Sequence, residues 1–193
     1  MKKFKNIQND LFFVTILFFL IGMINITFVI FAIFCFVLPF YYYLRYSKKV
    51  WCQYICPRAG MFNKLLSKIS LNLSIPKIIT GKFMKSFFVN YFFVSLTIVI
   101  FSTIMVSLGR VMPINHVRFF LVFKIPFDLP QLITINAPVT LIHFAYRIYS
   151  MLFTTVIIGI ILGFFYKPRT WCSICPINTL TTKKIKLKSN LKQ

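Results

Sequence analysis

Three long apolar stretches organise the chain: Leu11–Leu44, Phe87–Leu108 and Ile148–Tyr166. The second and third run 22 and 19 residues without a charge, close to the roughly 20 residues a helix needs to cross about 30 Å of hydrocarbon. The first runs 34 residues, and as one helix would reach about 51 Å. Its only Gly and Asn, Gly22 and Asn25, fall within Ile21–Thr27 and predict a tight turn between two helices. A single long tilted helix is the alternative.

Charge separates the two. With a turn near Asn25, the N-terminal tail, the connection Arg45–Lys85 and the tail from Lys167 share one side and carry 19 of the 23 basic residues. The other side keeps Arg110, Arg118, Lys124 and Arg147. A single long helix divides them 16 to 7, a weaker positive-inside bias. The expected fold is therefore all-α, a polytopic membrane helix bundle of about four transmembrane helices. Residues 1–193 form a single membrane domain in the cytoplasmic membrane, with both termini cytoplasmic.

The connections add detail. Phe62, Leu65, Leu66, Ile69 and Leu73 recur at helical spacing, with polar residues between them, up to Pro76. That is the pattern of an amphipathic helix lying on the inner membrane surface; a helix packed against other spans would show the same pattern. Residues 113–146 are apolar but interrupted by Pro113, Pro126, Pro130 and Pro138, and read as a re-entrant or interfacial cap. The basic N-terminus before Leu11 resembles a signal peptide, yet the apolar run behind it far exceeds a signal core of 7 to 15 residues. It is expected to be retained.

Composition agrees with a membrane protein: 59% hydrophobic, 19% aromatic, and only Asp10 and Asp128 as acids. The net charge of +21 would suggest nucleic acid in a soluble domain; here it reads as a topology signal and no nucleic-acid partner is expected. There is no Ser-His-Asp set, no paired carboxylates and no phosphate-binding glycine loop, so a stand-alone hydrolase or kinase is not indicated. His116 and His143 fall on the less basic side, where two isolated histidines read as ordinary polar residues rather than haem ligands.

The chemistry lies in the cysteines. Residues 49–57 read Lys-Val-Trp-Cys-Gln-Tyr-Ile-Cys-Pro, and residues 169–176 read Arg-Thr-Trp-Cys-Ser-Ile-Cys-Pro. Each copy follows a span that returns to the basic side, which marks a pseudo-repeat of units about 11–75 and 87–188. Cys52, Cys56, Cys172 and Cys175 thus supply four thiols from two loops on one membrane face. Reducing conditions disfavour a disulfide there. Zinc accepts four thiolates, and C-x2-C is a common half-site. A [4Fe–4S] cluster also takes four thiolates, and bacterial ferredoxin runs end in C-x3-C-P, as Cys52 to Pro57 does. Trp51 and Trp171 read as interfacial anchors, and Cys35 as a small apolar residue inside the first stretch.

These motifs resemble those of membrane 4Fe–4S binding domain proteins related to the NapH-type subunit of periplasmic nitrate reduction and the NosR-type protein of nitrous oxide reduction. The resemblance covers the two cysteine loops and their flanking spans. It carries Cys52, Cys56 and Pro57 onto a full CxxxCP motif, and Cys172, Cys175 and Pro176 onto one shorter by a residue. The soluble ferredoxin domain and the flavin-bearing domain of such proteins have no counterpart here. The resemblance implies membrane iron–sulfur or redox character, but not quinol oxidation or a nitrogen-oxide pathway; the first reading is a protein that transfers electrons at the cytoplasmic membrane surface through one [4Fe–4S] cluster. On that reading Lys48, Lys49, Arg58, Lys167 and Arg169 would favour the reduced cluster and attract an acidic carrier such as a ferredoxin or flavodoxin, with a membrane or exported redox protein as a further partner; topology determination alone is the equal alternative for these charges. Two alternatives stay open: a zinc- or cluster-stapled scaffold that helps assemble a redox complex, and a transporter, which would need buried polar groups within its spans.

Overall fold

The computed structural model of the protein describes residues 7–120, 123–124, 131 and 137–190, with side chains as far as Lys183. The chain is all-α. Helix α1 is Phe12–Ile24; a 3-10 segment, Ile26–Ala32, runs directly into α2, Ile33–Tyr46. A single π turn, Trp51–Ile55, precedes α3, Pro57–Leu66. The short α4, Lys77–Thr80, leads to the long α5, Lys82–Ser107. Strands β1, Arg118–Phe119, and β2, Phe123–Lys124, pair antiparallel, with Arg118 opposite Lys124. Helix α6 is Val139–Phe165, followed by α7, Thr170–Ile174, and α8, Pro176–Asn190.

Three segments are long and apolar enough to cross a membrane: Ile26–Tyr46, Lys82–Ser107 and Val139–Phe165. The fourth expected span is α1, whose 13 residues extend about 20 Å. The break between α1 and the next helix falls at Asn25, as its side chain dictates. Asn25 is extended, with φ −151° and ψ 122°, and its Oδ1 accepts the Thr27 N–H at 2.8 Å, an N-cap that starts a new helix. The chain reverses there, because the N–H of Ile7 donates to the carbonyl of Tyr54 at 3.1 Å. This excludes the single long helix. Apolar side chains remain exposed along α5, including Phe83, Phe87, Phe93 and Phe101, as expected where lipid is the solvent.

By packing, the chain divides into two compact units. The first comprises residues 1–15, 34–92 and 158–193; the second comprises residues 16–33 and 93–157.

In the first unit, α3 packs against the last turns of α6. Phe62 and Leu66 are buried, and Gly159 leaves room for the Phe62 ring, which a Cβ there would strike. The amphipathic surface helix expected as far as Pro76 is therefore corrected. The helix ends at Leu66, and residues 70–73 run as irregular backbone beside the end of α6. The N–H groups of Leu71 and Leu73 donate to the carbonyls of Phe164 and Phe165 at 2.8 and 3.3 Å, and Ser70 Oγ donates to the Tyr166 carbonyl at 2.6 Å. The last carbonyls of a helix lack intrahelical donors, and this segment supplies them.

In the second unit, α6 begins behind Pro138, nine residues before the apolar stretch that predicted it. His143 and Arg147 thereby fall inside the helix and are buried, at 0% and 9% exposure. The sequence reading of this span as charge-free is corrected. Residues 114–120 run alongside α6. The N–H of Ile114 donates to His143 Nδ1 at 3.0 Å, that of Arg118 to Ser150 Oγ at 3.0 Å, and that of Phe120 to Thr154 Oγ1 at 3.1 Å. Thr154 lies about 22 Å along α6 from Val139, so irregular backbone descends well into the span and finds its hydrogen bonds on a polar stripe of that helix. Irregular backbone at membrane depth requires such internal partners. Pro126, Pro130 and Asp128 lie outside the described residues.

Candidate metal centre

Both cysteine motifs fold into one local structure despite their different lengths. In the second, α7 makes an ordinary turn and the Cys175 N–H donates to the Trp171 carbonyl, four residues back, at 2.9 Å. In the first, the extra residue widens the turn, and the Cys56 N–H donates to the Trp51 carbonyl, five residues back, at 2.8 Å. The π turn absorbs the insertion. Cys56 and Cys175 then adopt nearly the same conformation, φ −52° and ψ 111° against φ −53° and ψ 131°.

Proline then starts a helix behind each turn. Its fixed φ suits the first helical position, where the missing N–H is not needed, so Pro57 opens α3 and Pro176 opens α8. Cys56 and Cys175 carbonyls accept the first intrahelical bonds, from Gly60 at 3.2 Å and Thr179 at 3.0 Å. The backbone N–H groups of Ile177 and Asn178 favour the charged form of the Cys175 thiol, and Asn178 Nδ2 donates to the Cys172 carbonyl at 2.7 Å.

The four motif thiols all lie in the first unit, are free, and are partly buried. They sense one another's charge across the two loops: Cys52 interacts with Cys175, Cys56 and Cys172, and Cys172 with Cys56 and Cys175. Burial pushes the Cys52 thiol up, with the neighbouring thiols adding to it and Lys49 opposing. Burial likewise pushes Cys172 up to about 12, against the charge and hydrogen bond of Arg169. Cys175 is raised by burial and eased by Arg58, a residue of the other loop. Thiols in this condition are stable as protonated groups until a cation arrives to balance their charge.

Gln8, which sequence reasoning missed, joins the two loops. It is 2% exposed; its Oε1 accepts from Arg169 Nη2 at 2.9 Å and its Nε2 donates to the Cys52 carbonyl at 3.3 Å. A Cβ on Gly60 would collide with the Gln8 carbonyl, so Gly60 admits the N-terminal segment against the start of α3. A single polar residue between a lysine-rich tail and an apolar run offers no pattern that would have revealed this role.

Other expectations change. Trp51 and Trp171 are buried, not interfacial anchors: Trp51 packs on Tyr42 with ring centroids 5.7 Å apart, and Trp171 meets Phe88 edge-on at 5.0 Å. Cys35 in α2 is half-buried, as a small apolar residue would be, yet lies within electrostatic reach of Cys56, Cys175 and Arg58.

The residues fit a four-thiolate cluster. Four thiols from two matched turns are the donor set a [4Fe–4S] cluster requires, with cationic Arg58, Arg169 and Lys49 beside them. The Trp171 Nε1 is buried without a hydrogen-bond acceptor, a donor suited to an anionic neighbour. Among the described residues, no three His, Cys, Asp or Glu side chains are gathered to hold a single metal ion.

The chain matches the 4Fe-4S binding domain family model over residues 11–76 and 148–189, more than half its length, with one cysteine loop in each matched segment. The match is to the family at large and does not single out the nitrate- or nitrous-oxide-linked proteins. No curated protein and no solved structure matches the chain.

Proposed function

We propose that this chain, which belongs to the 4Fe-4S binding domain family, is an electron-transfer protein of the cytoplasmic membrane. Its cofactor is a [4Fe–4S] cluster, and we assign Cys52, Cys56, Cys172 and Cys175 as the ligands of one cluster shared by both loops. The observation that supports this reading is that two turns of the same geometry each present a cysteine pair within one compact unit, in the two segments that the family model matches. When bound, the cluster supplies one-electron oxidation and reduction.

The chain's own residues position and tune it. Arg169 beside Cys172, and the N–H groups at the start of α8 beside Cys175, favour the charged form of each thiol; donors near cluster thiolates raise the reduction potential. Arg58, Lys49 and Arg169 favour the more negative, reduced form. With Lys48 and Lys167, exposed on the same loops, they offer a basic surface to an acidic soluble carrier such as a ferredoxin or flavodoxin. A membrane or exported redox protein is the further partner. The positive-inside bias supports cytoplasmic termini and a four-pass arrangement in which α1, with the segment before it, makes the additional pass.

Reduction by a soluble carrier tests this role. Anaerobically purified protein, mixed with reduced ferredoxin or flavodoxin, is expected to bleach reversibly in the visible range at low ionic strength and more slowly at high salt. A cluster that no such carrier reduces would mark a stapled scaffold for another redox complex instead.

A further inference from the structure

The second unit contains two neighbouring arginines, Arg147 buried and Arg118 partly exposed, for which the proposed electron transfer has no use. Arg147 lies about 12 Å along α6 from Val139, is 9% exposed, and its Nε is buried with no hydrogen-bond partner. Arg118, on the segment that descends beside α6, is held less than one helical turn from it by the bond from its N–H to Ser150 Oγ at 3.0 Å, close enough to repel it. A buried guanidinium without a counter-charge is strongly unfavourable, and two that repel each other are worse. Within a membrane span, such a residue marks a binding or transfer site more often than a structural one.

Among the described residues, the neighbouring groups supply no negative charge. His143 accepts the Ile114 N–H at Nδ1, so its proton sits on Nε2, facing Ser102 Oγ at 3.2 Å; it is neutral. His116 Nε2 accepts from Arg118 Nε at 3.1 Å and is therefore unprotonated at that atom. Ser150 and Thr154 spend their hydroxyl protons on the carbonyls of Tyr146 and Ser150, at 2.7 and 2.8 Å. The only acid in the sequence of this unit, Asp128, lies outside the described residues.

We propose that Arg147 and Arg118 form a binding site for a phosphate-type oxyanion, set between α6 and the 114–120 segment. Two guanidinium groups match the geometry and charge of a phosphate, whether free or carried by an anionic lipid, better than those of a single carboxylate. The inference is independent of the cluster.

The test uses the full-length protein, delipidated in neutral detergent. Bound phosphorus is measured, as is the stabilisation produced by inorganic phosphate against chloride at matched ionic strength. Wild type is expected either to retain about one phosphorus per chain or to be stabilised saturably by inorganic phosphate. R147Q and R118Q should each weaken that binding on the order of tenfold or more. Mass spectrometry of the extracted ligand separates the sources. A lipid source also predicts stabilisation by phosphatidylglycerol nanodiscs and none by phosphatidylcholine. If R147Q does not fold, R118Q and the wild-type measurements still decide. Wild type with neither retained phosphorus nor saturable stabilisation would overturn the proposal, as would full-affinity binding by both variants. Phosphate binding gained only in D128N would also overturn it, by showing that the chain provides its own counter-anion.

Discussion

Arg169, on the second cysteine loop, donates from Nη2 to Gln8 Oε1 at 2.9 Å, while Gln8 donates in turn to the carbonyl of Cys52 on the first loop. One buried amide thus holds the two halves of the candidate site in register. Removing it leaves the Cys52 carbonyl short of a donor and the exposed Arg169 guanidinium to water, a loss of about 1 kcal/mol. Q8A is expected to bind a cluster but to release its iron to a chelator on the order of tenfold faster than wild type. Unchanged release kinetics would show that Gln8 is not the clasp.

A shared centre makes cysteines from different loops equivalent. C52S and C175S should each abolish iron binding, not halve it, because neither loop alone supplies four ligands. C35S should retain iron despite its proximity to Cys56 and Cys175, since its helix α2 belongs to neither Cys-Pro turn. Iron analysis of the three purified variants checks this.

The π turn yields a sharper test. Deleting Gln53, which is exposed, converts the first motif to the length of the second, and the wide turn can become an ordinary helical turn. That deletion is expected to keep most of the iron. Deleting Ser173 leaves too few residues for a turn of the same kind and is expected to lose it.

Gly60 is required by the close approach of the N-terminal segment. G60A places a methyl group against the Gln8 carbonyl and should destabilise the protein by about 1–3 kcal/mol. It should also speed iron release in the manner of Q8A. G81A, where the nearest carbonyls stand 3.1 Å from the added carbon, serves as the control, with unaltered iron release expected. Thermal unfolding and chelator kinetics measure the two effects.

Thiol burial predicts a pH dependence for the apo-protein. The Cys172 proton is held more tightly in the folded state, with its ordinary value of 9.0 raised to about 12. This contribution to stability is fully present below about pH 9 and is lost as pH rises from there through about 12, because the unfolded chain releases the proton first. Alkylation of Cys172 in apo-protein near pH 8 should accordingly be roughly 10³-fold slower than that of a free thiol. Metal loading reverses the sign, since each ligand gives up its proton, and acidification should promote cluster loss.

Much of this was legible in the sequence where a pattern has a single physical solution. Apolar runs of membrane length located the spans, Asn25 located the break, and the paired Trp-Cys and Cys-Pro steps located the two loops. Three things were not legible. The start of α6 was hidden because His143 and Arg147 interrupt its apolar run, and only the descending 114–120 segment explains why polar residues are tolerated there. The end of α3 was hidden because Ile69, Leu71 and Leu73 keep an apolar pattern while the N–H groups of Leu71 and Leu73 donate to the end of α6. Gln8 was invisible because its role depends on two loops that are 44 and 161 residues away, a relation that no local periodicity encodes.

The most direct test is a count of iron, acid-labile sulfide and zinc on wild-type, C52S and C175S proteins purified without oxygen. A single cluster shared by both loops predicts about four iron and four sulfide per wild-type chain, no stoichiometric zinc, and neither iron nor sulfide in either variant. Stoichiometric zinc without sulfide in wild type, or a full complement of iron in either variant, would contradict it.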